Sequence, residues 1–207
     1  VHASLDDTGD RAELQRSGQS WEIAVSERKR MLTDCDHVNF LVTPTISVMN
    51  VHTIGDFHKE WVLSGLIEID QFMPHTLRSP NHLSIRIFPK QQRELIRKKL
   101  EEHIAWVIEY VQNHPPVAPT KEELEQFGDL LDNLGMDKTT GHLKIDMQLN
   151  EFRNCITFMN SKSDEHLIPE FISYSESLDK LRNESTRAVL PELEPLWTYA
   201  KSMGEHE

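Results

Sequence analysis

Four short apolar runs alternate with helix-length amphipathic stretches across residues 1–88, and this alternation constrains the fold more than any other feature of the chain. The runs are residues 1–5, 38–43 (continuing toward 48), 66–73 and 83–88. Strands separated by helices of this length form βαβ units, because the crossover returns the chain to start the next strand in the same direction. The pattern predicts an α/β fold with a mainly parallel sheet. Ser20 is placed to cap a helix running to about Thr33. Thr53 is placed to cap another, with Asp56 in the capping-box position and Gly65 as its stop. Pro44 cannot donate to a ladder, so the second strand carries an irregularity there or lies free on one side; Pro74 is read as the end of the third run. The first run starts at residue 1 with no strand before it. That predicts either the C-terminal part of a larger protein or a product of processing.

After Pro89 the period changes. Residues 90–113 set Leu95, Ile96, Leu100, Ile104, Val107, Ile108 and Val111 on one side of a long helix, which His114-Pro115-Pro116 breaks. Thr120 and Glu123 form the capping box of a further helix ended by Gly135. A short strand is predicted at 142–148, and helices at 170–182 and 190–203. The boundary falls near Pro89, dividing an α/β part (1–88) from a mostly helical part (89–207).

Composition narrows the function classes. The 207 residues carry 22 basic and 34 acidic side chains, a net charge of −12, against the clustered Lys and Arg that nucleic-acid backbones require. No apolar run approaches the roughly 18 residues of a membrane helix. Two cysteines at this size do not make a disulfide scaffold, which predicts reduced thiols and a cytoplasmic protein.

In a parallel sheet the carboxyl ends of the strands carry function. Those ends supply Ser4 and Asp6, with Arg16 in the loop beyond; Thr45, Ser47 and Asn50; and Pro74, His75, Thr76 and Arg78. Hydroxyls suit a ribose, and an arginine suits a carboxylate or phosphate. The same residues also serve as caps and turn formers in any α/β domain. Asp34-Cys35-Asp36-His37 has the composition of a metal cluster but sits at a helix-to-strand turn. His52, Asp56 and Glu60 are spaced for one solvated helix face, and His58 and His103 for helix surfaces or satisfied core edges.

Val1-His2-Ala3-Ser4-Leu5-Asp6-Asp7, then Arg11-Ala12-Glu13 and Arg16-Ser17-Gly18-Gln19-Ser20-Trp21, resemble the fourth strand and following loop of radical S-adenosylmethionine (SAM) enzymes. Val42-Thr43-Pro44-Thr45-Ile46-Ser47-Val48-Met49-Asn50-Val51, with Asp56-Phe57-His58 and Trp61, resembles their fifth strand and helix. The tail, residues 161–171 and 174–184 with Pro191-Glu192-Leu193, is similar to bacterial twitch-domain-containing radical SAM proteins. The resemblance implies the second half of a partial (β/α) TIM-like barrel followed by a helical extension. It also implies a [4Fe–4S] cluster, SAM as cosubstrate, an electron donor, and a peptide or small-metabolite substrate from which hydrogen is abstracted. By position, Ser4 approaches the SAM ribose or carboxylate with Asp6 beside it. Arg16 pairs with the SAM carboxylate. Ser47 and Asn50 meet the adenosyl portion or substrate, and Met73, Pro74 and His75 line the adenine pocket. The cluster-binding CxxxCxxC loop of that family has no counterpart among these residues, and Cys35 and Cys155 cannot supply its three thiolates. A noncatalytic α/β domain that binds a nucleotide-like ligand or a partner protein is the rival expectation. A hydrolase or metalloenzyme built on His75 ranks below both.

Overall fold

Three extended segments of the N-terminal half lie side by side and parallel. Strand β1 (His2–Ala3) pairs with β2 (Leu41–Val42), and β3 (Thr45–Ile46) pairs with β4 (His75–Thr76). Val42 also bridges Phe72, so the three segments run in the order in which they occur along the chain. The structure, a computed structural model, describes residues 1–115, 121, 137 and 139–204. It is mixed but mostly helical, with small sheets, and so carries less strand than an alternating α/β pattern predicts.

Proline chemistry explains why the middle segment reads as two strands. Pro44 has no N–H and removes one rung of the ladder, while its carbonyl still accepts from the His75 N–H at 2.9 Å. The irregularity expected at Pro44 is therefore present. Pro74 does not end the third segment: Met73, His75 and Leu77 all donate to the middle segment, and the missing N–H of Pro74 falls between those rungs. Pairing thus runs from Phe72 to Leu77, later than the predicted 66–73. Gly65 stops the preceding helix at φ +70°, as expected, and residues 66–71 are occupied by the turn that follows, tied by a Gln71 N–H bond to the Glu68 carbonyl.

Two other predicted strands are not strands. Residues 83–88 form two short 3₁₀ turns, Asn81–Leu83 and Ile85–Ile87. The Ser84 hydroxyl accepts from the Arg86 N–H and bends the chain, so that Ile85, Ile87 and Phe88 all enter the core. Residues 142–148 open a helix, because Ile145, Leu149 and Phe152 bury one helical face and Asp146 accepts from the Thr140 and Gly141 N–H groups ahead of it. The helix expected between Thr120 and Gly135 lies outside the described residues.

The helices are α1 (Gly9–Gln15), α2 (Trp21–Asp34), α3 (Ile54–Leu63), α4 (Lys90–Asn113), α5 (Leu143–Asn160), α6 (Ile168–Arg182), α7 (Thr186–Val189) and α8 (Glu194–Gly204). Ser20 caps α2 as expected, accepting from Ile23. Thr53 makes no cap bond; its hydroxyl donates to Asp7 instead. Phe57 and Trp61 of α3 pack edge-on at 5.3 Å, Phe57 meets Phe72 of the third segment at the same distance, and Trp21 closes over Trp61 at 5.5 Å. One core runs from Leu14 through these rings to Leu193 and Trp197, joining both halves of the chain. Each such aromatic contributes on the order of 2–3 kcal/mol when fully buried.

The C-terminal helices fold back over the carboxyl ends of the strands. Arg11 of α1 makes a two-pronged ion pair with Glu192, and Arg182 Nη1 donates to the Leu14 carbonyl at 3.2 Å. On the other flank α3 crosses α4 closely enough that only glycine fits at position 55: a Cβ there would lie 2.8 Å from Cγ of His103. Gly55→Ala is expected to lower the unfolding free energy by about 1–3 kcal/mol through overpacking. Urea denaturation of Gly55→Ala alone and combined with His103→Ala checks this; the pair should lose less than the sum of the single changes.

Candidate functional site

Where β1 stops, Asp6 takes over the work of the sheet. Its Oδ1 accepts the Thr45 N–H at 2.8 Å, a donor that would otherwise look for a further residue of β1. Its Oδ2 accepts from Arg16 Nε at 2.8 Å, and Arg16 Nη2 reaches Ser4 Oγ at 2.6 Å. Asn50, fully buried, ties the same point from below. Its Nδ2 donates to the carbonyls of Asp6 and Thr45, and its Oδ1 accepts the Ser47 N–H. Ser47 Oγ accepts the Met49 N–H, so its own proton stays free to donate. The strand-end residues singled out in the sequence are thus brought together, but Asp6 and Asn50 spend their hydrogen-bonding capacity on the protein. Arg16 keeps Nη1 without a partner among the described residues.

A cavity of about 200 Å³ lies against these ends. Asp6, Thr45, Ser47 and Met49 form its floor, with Leu14 and Gln15 from α1 and Leu77 and Leu83 at the side. Tyr174, Leu178 and Arg182 of α6 form its roof. In the sequence those three fall only within the tail that carries the resemblance and take no site role, although their i, i+4, i+8 spacing puts them on one helical stripe. Met73, Pro74 and His75 do not line this cavity: Pro74 is buried and His75 is exposed at the outer edge of the third segment.

Next to the knot, Asp7 is 1% exposed and accepts from the Thr8 N–H and the Thr53 hydroxyl. Burial raises its carboxyl to about 6, against the opposing pull of those bonds and of Arg11. The histidines of the flanking helices are also buried, contrary to their expected place at surfaces or core edges. His58 Nδ1 and His103 Nε2 share a hydrogen bond of 3.0 Å, His58 stacks on Phe72 at 4.4 Å, and the Gln148 amide lies 3.2 Å from His58 Nε2. Desolvation pushes His103 down to about 3 and His58 well below its ordinary value, with each ring further disfavoured as a cation by a neighbouring base, Lys59 and His103 respectively. His52, expected on a solvated face, is buried against Phe88, and burial lowers it to about 4.

The thiols do not form a cluster site. Cys35 follows α2 at the amino-terminal end of the strands, away from the cavity. Cys155 is buried in α5 beside Thr76, and desolvation drives its thiol up to about 12. Among the described residues no group of three His, Cys, Asp or Glu side chains is arranged to hold a metal ion, Asp34-Cys35-Asp36-His37 included. No helix among them is long and apolar enough to cross a membrane. Comparison with family models, with curated proteins and with solved structures found no match.

Two measurements follow. Asn50→Ala strands the Asp6 and Thr45 carbonyls and the Ser47 N–H without their partner, and is expected to cost at least about 2 kcal/mol in urea unfolding. The buried histidines stay neutral in the fold but bind protons below about 6.5 when unfolded. Stability therefore falls as pH drops through the window between 6.5 and their lowered values, by about 1.4 kcal/mol per pH unit for each proton. Asp7 acts in the opposite sense between its ordinary 3.8 and about 6, where the fold binds the extra proton and gains on acidification. With three histidines against one carboxyl, unfolding at pH 5 is expected at lower urea than at pH 7. His58→Gln/His103→Gln should flatten that difference.

Proposed function

We propose that the strand-end cavity is the SAM and substrate side of a radical SAM enzyme, with residues 1–88 the second half of a partial (β/α) barrel and residues 89–207 a twitch-like extension. One observation carries this reading. Ser4, Asp6, Arg16 and Ser47, assigned to SAM by the resemblance, converge at the carboxyl ends of consecutive parallel segments, in the order the resemblance requires; Asp6 and Ser47 line an open cavity there, and Arg16 joins Asp6 to Ser4 beside it.

In this reading the free Nη1 of Arg16 takes the SAM carboxylate while Asp6 fixes its guanidinium. The hydroxyls of Ser4 and Ser47 serve the ribose. Asp6 and Asn50 are positioning residues, since their polar atoms hold the strand ends rather than face a ligand. Met73, Pro74 and His75 would meet the adenine only along the outer edge of the third segment. At about 200 Å³ the cavity is below the roughly 300–1,000 Å³ of sites that enclose a drug-sized ligand, so it takes one portion of SAM or its substrate. The cluster does not fit this chain's own thiols. On this reading the three cysteines and the electron donor would be supplied from outside these residues, and the chain's part would be to bind and orient. This chain alone carries no radical chemistry.

A noncatalytic binding domain is the second reading. It is favoured by the self-satisfied Asp6 and Asn50 and by the two separated cysteines. Titration calorimetry with SAM separates the outcomes. Saturable binding that Arg16→Ala weakens by about thirtyfold, on the order of 2 kcal/mol, supports the SAM site. Absence of SAM binding to the wild-type chain leaves the binding-domain reading.

A further inference from the structure

The roof of the strand-end cavity is chemically unlike its floor. On the floor, Asp6 is neutralised by Arg16, which does not itself line the cavity, and the other polar side chains are those of Thr45, Ser47 and Gln15. In the roof, Arg182 makes one bond, Nη1 to the Leu14 carbonyl at 3.2 Å, and a loose ion contact with Glu184 at 3.9 Å. Its Nε and Nη2 have no partner among the described residues. The Tyr174 hydroxyl likewise has no hydrogen-bond partner there, the ring leaning on His82 at 4.8 Å. Between these polar groups stand Leu14, Met49, Leu77, Leu83 and Leu178. A guanidinium edge that keeps N–H groups unused beside an apolar chamber is a receptor for an oxyanion joined to an apolar body. The chamber has room for about six or seven waters' worth of volume, which limits the part of that body inside it to a short chain or a single small ring.

We propose that Arg182 is the specificity-determining residue for a small ligand carrying a carboxylate or phosphate on an apolar body of a few carbons. This rests on the reading of the cavity as a ligand site and deepens it: the portion of the ligand that enters is a small acid held by its anionic end. Tyr174 and Ser47 then address polar atoms near the anionic end, and Leu178 covers the apolar part. The floor offers an anion no cation of its own, because Asp6 is paired with Arg16 and Arg16 does not line the cavity.

The test is amide NMR titration of the whole chain with three probes: hexanoate, butyl phosphate and uncharged hexanol. The expected result is saturable movement of the Thr45, Ser47, Leu178 and Arg182 amides, with one or both anions binding at least tenfold more tightly than hexanol. The preferred anion identifies the oxyanion. Arg182→Gln should cut anion affinity at least tenfold and leave hexanol unchanged. Arg182→Lys, which keeps a donor for the Leu14 carbonyl, should recover only part of the loss. Unchanged hexanol shifts at the same amides show that the variants keep the cavity, and if Arg182→Gln unfolds the chain, the lysine variant carries the comparison. Equal binding of hexanol and both anions, or anion affinity indifferent to both substitutions, overturns the proposal. SAM is titrated separately. Anion binding without SAM binding defeats the SAM reading and keeps Arg182, whereas SAM binding without anion selectivity does the reverse.

Discussion

Where parallel strands stop, backbone donors and acceptors still need partners, and the architecture of this protein depends on how Asp6 and Asn50 supply them. The Thr45 N–H ends on the Asp6 carboxylate, and the carbonyls of Asp6 and Thr45 end on the Asn50 amide. An unpaired buried backbone group costs about as much as a lost hydrogen bond, so this knot closes the sheet at low cost despite its short rungs. It also aims the chain: residue 7 turns into α1, residue 50 leads into α3, and Arg16 is held at the rim by the carboxylate that serves the strand.

The same knot explains the closed C-terminal half. Asp7 sits beside it in a dry position, next to Arg11, whose two-pronged contact with Glu192 anchors the segment before α8. Burying the Asp7 carboxyl beside a half-buried arginine and glutamate is tolerable because each finds a charged or hydroxyl partner. The α6 helix is thereby held over the strand ends, and a cavity forms between a polar floor and a helix whose inward stripe mixes tyrosine, leucine and arginine.

Much of this was legible in the sequence. The parallel order, the Ser20 cap, the Gly65 stop, the irregularity at Pro44 and the whole of α4 follow from local chemistry: a hydroxyl at a cap, an achiral residue at a left-handed turn, a missing N–H, a 3.6-residue period. The failures have physical reasons too. Leu83 to Phe88 alternates like a strand, but Ser84 competes for the backbone and turns it. Residues 142–148 alternate over too few positions to outweigh the helical face that Ile145 shares with Leu149 and Phe152. For the strand ends, residue type singled out Ser4, Asp6, Arg16 and Ser47, which the fold brings together, but could not tell a group free to meet a ligand from one consumed by the backbone. Asn50 looked like a binding residue for that reason. The burial of His58 and His103 was invisible because it depends on Gly55 admitting α4 against α3, a contact between segments about fifty residues apart.

In the proposed site, a roof built from α6 would couple ligand binding to the closure of the C-terminal half. Arg182 faces the cavity with one edge and holds the α1 carbonyl with another, so a ligand bridging Arg182 and the strand-end hydroxyls touches both halves at once. Any such ligand binds only the closed arrangement and stabilises it in proportion to the logarithm of its concentration over its dissociation constant. The tether in its absence includes one charge-assisted bond at 3.2 Å, the Arg11–Glu192 pair, the His82–Glu170 and Arg86–Asp164 contacts at 2.9 Å each, and the shared apolar core. The core fixes where α6 lies, and the two arginine contacts set its last fit over the strand ends. Opening at this end would separate those contacts while leaving the Phe57–Trp61 cluster intact, because neither ring lines the cavity.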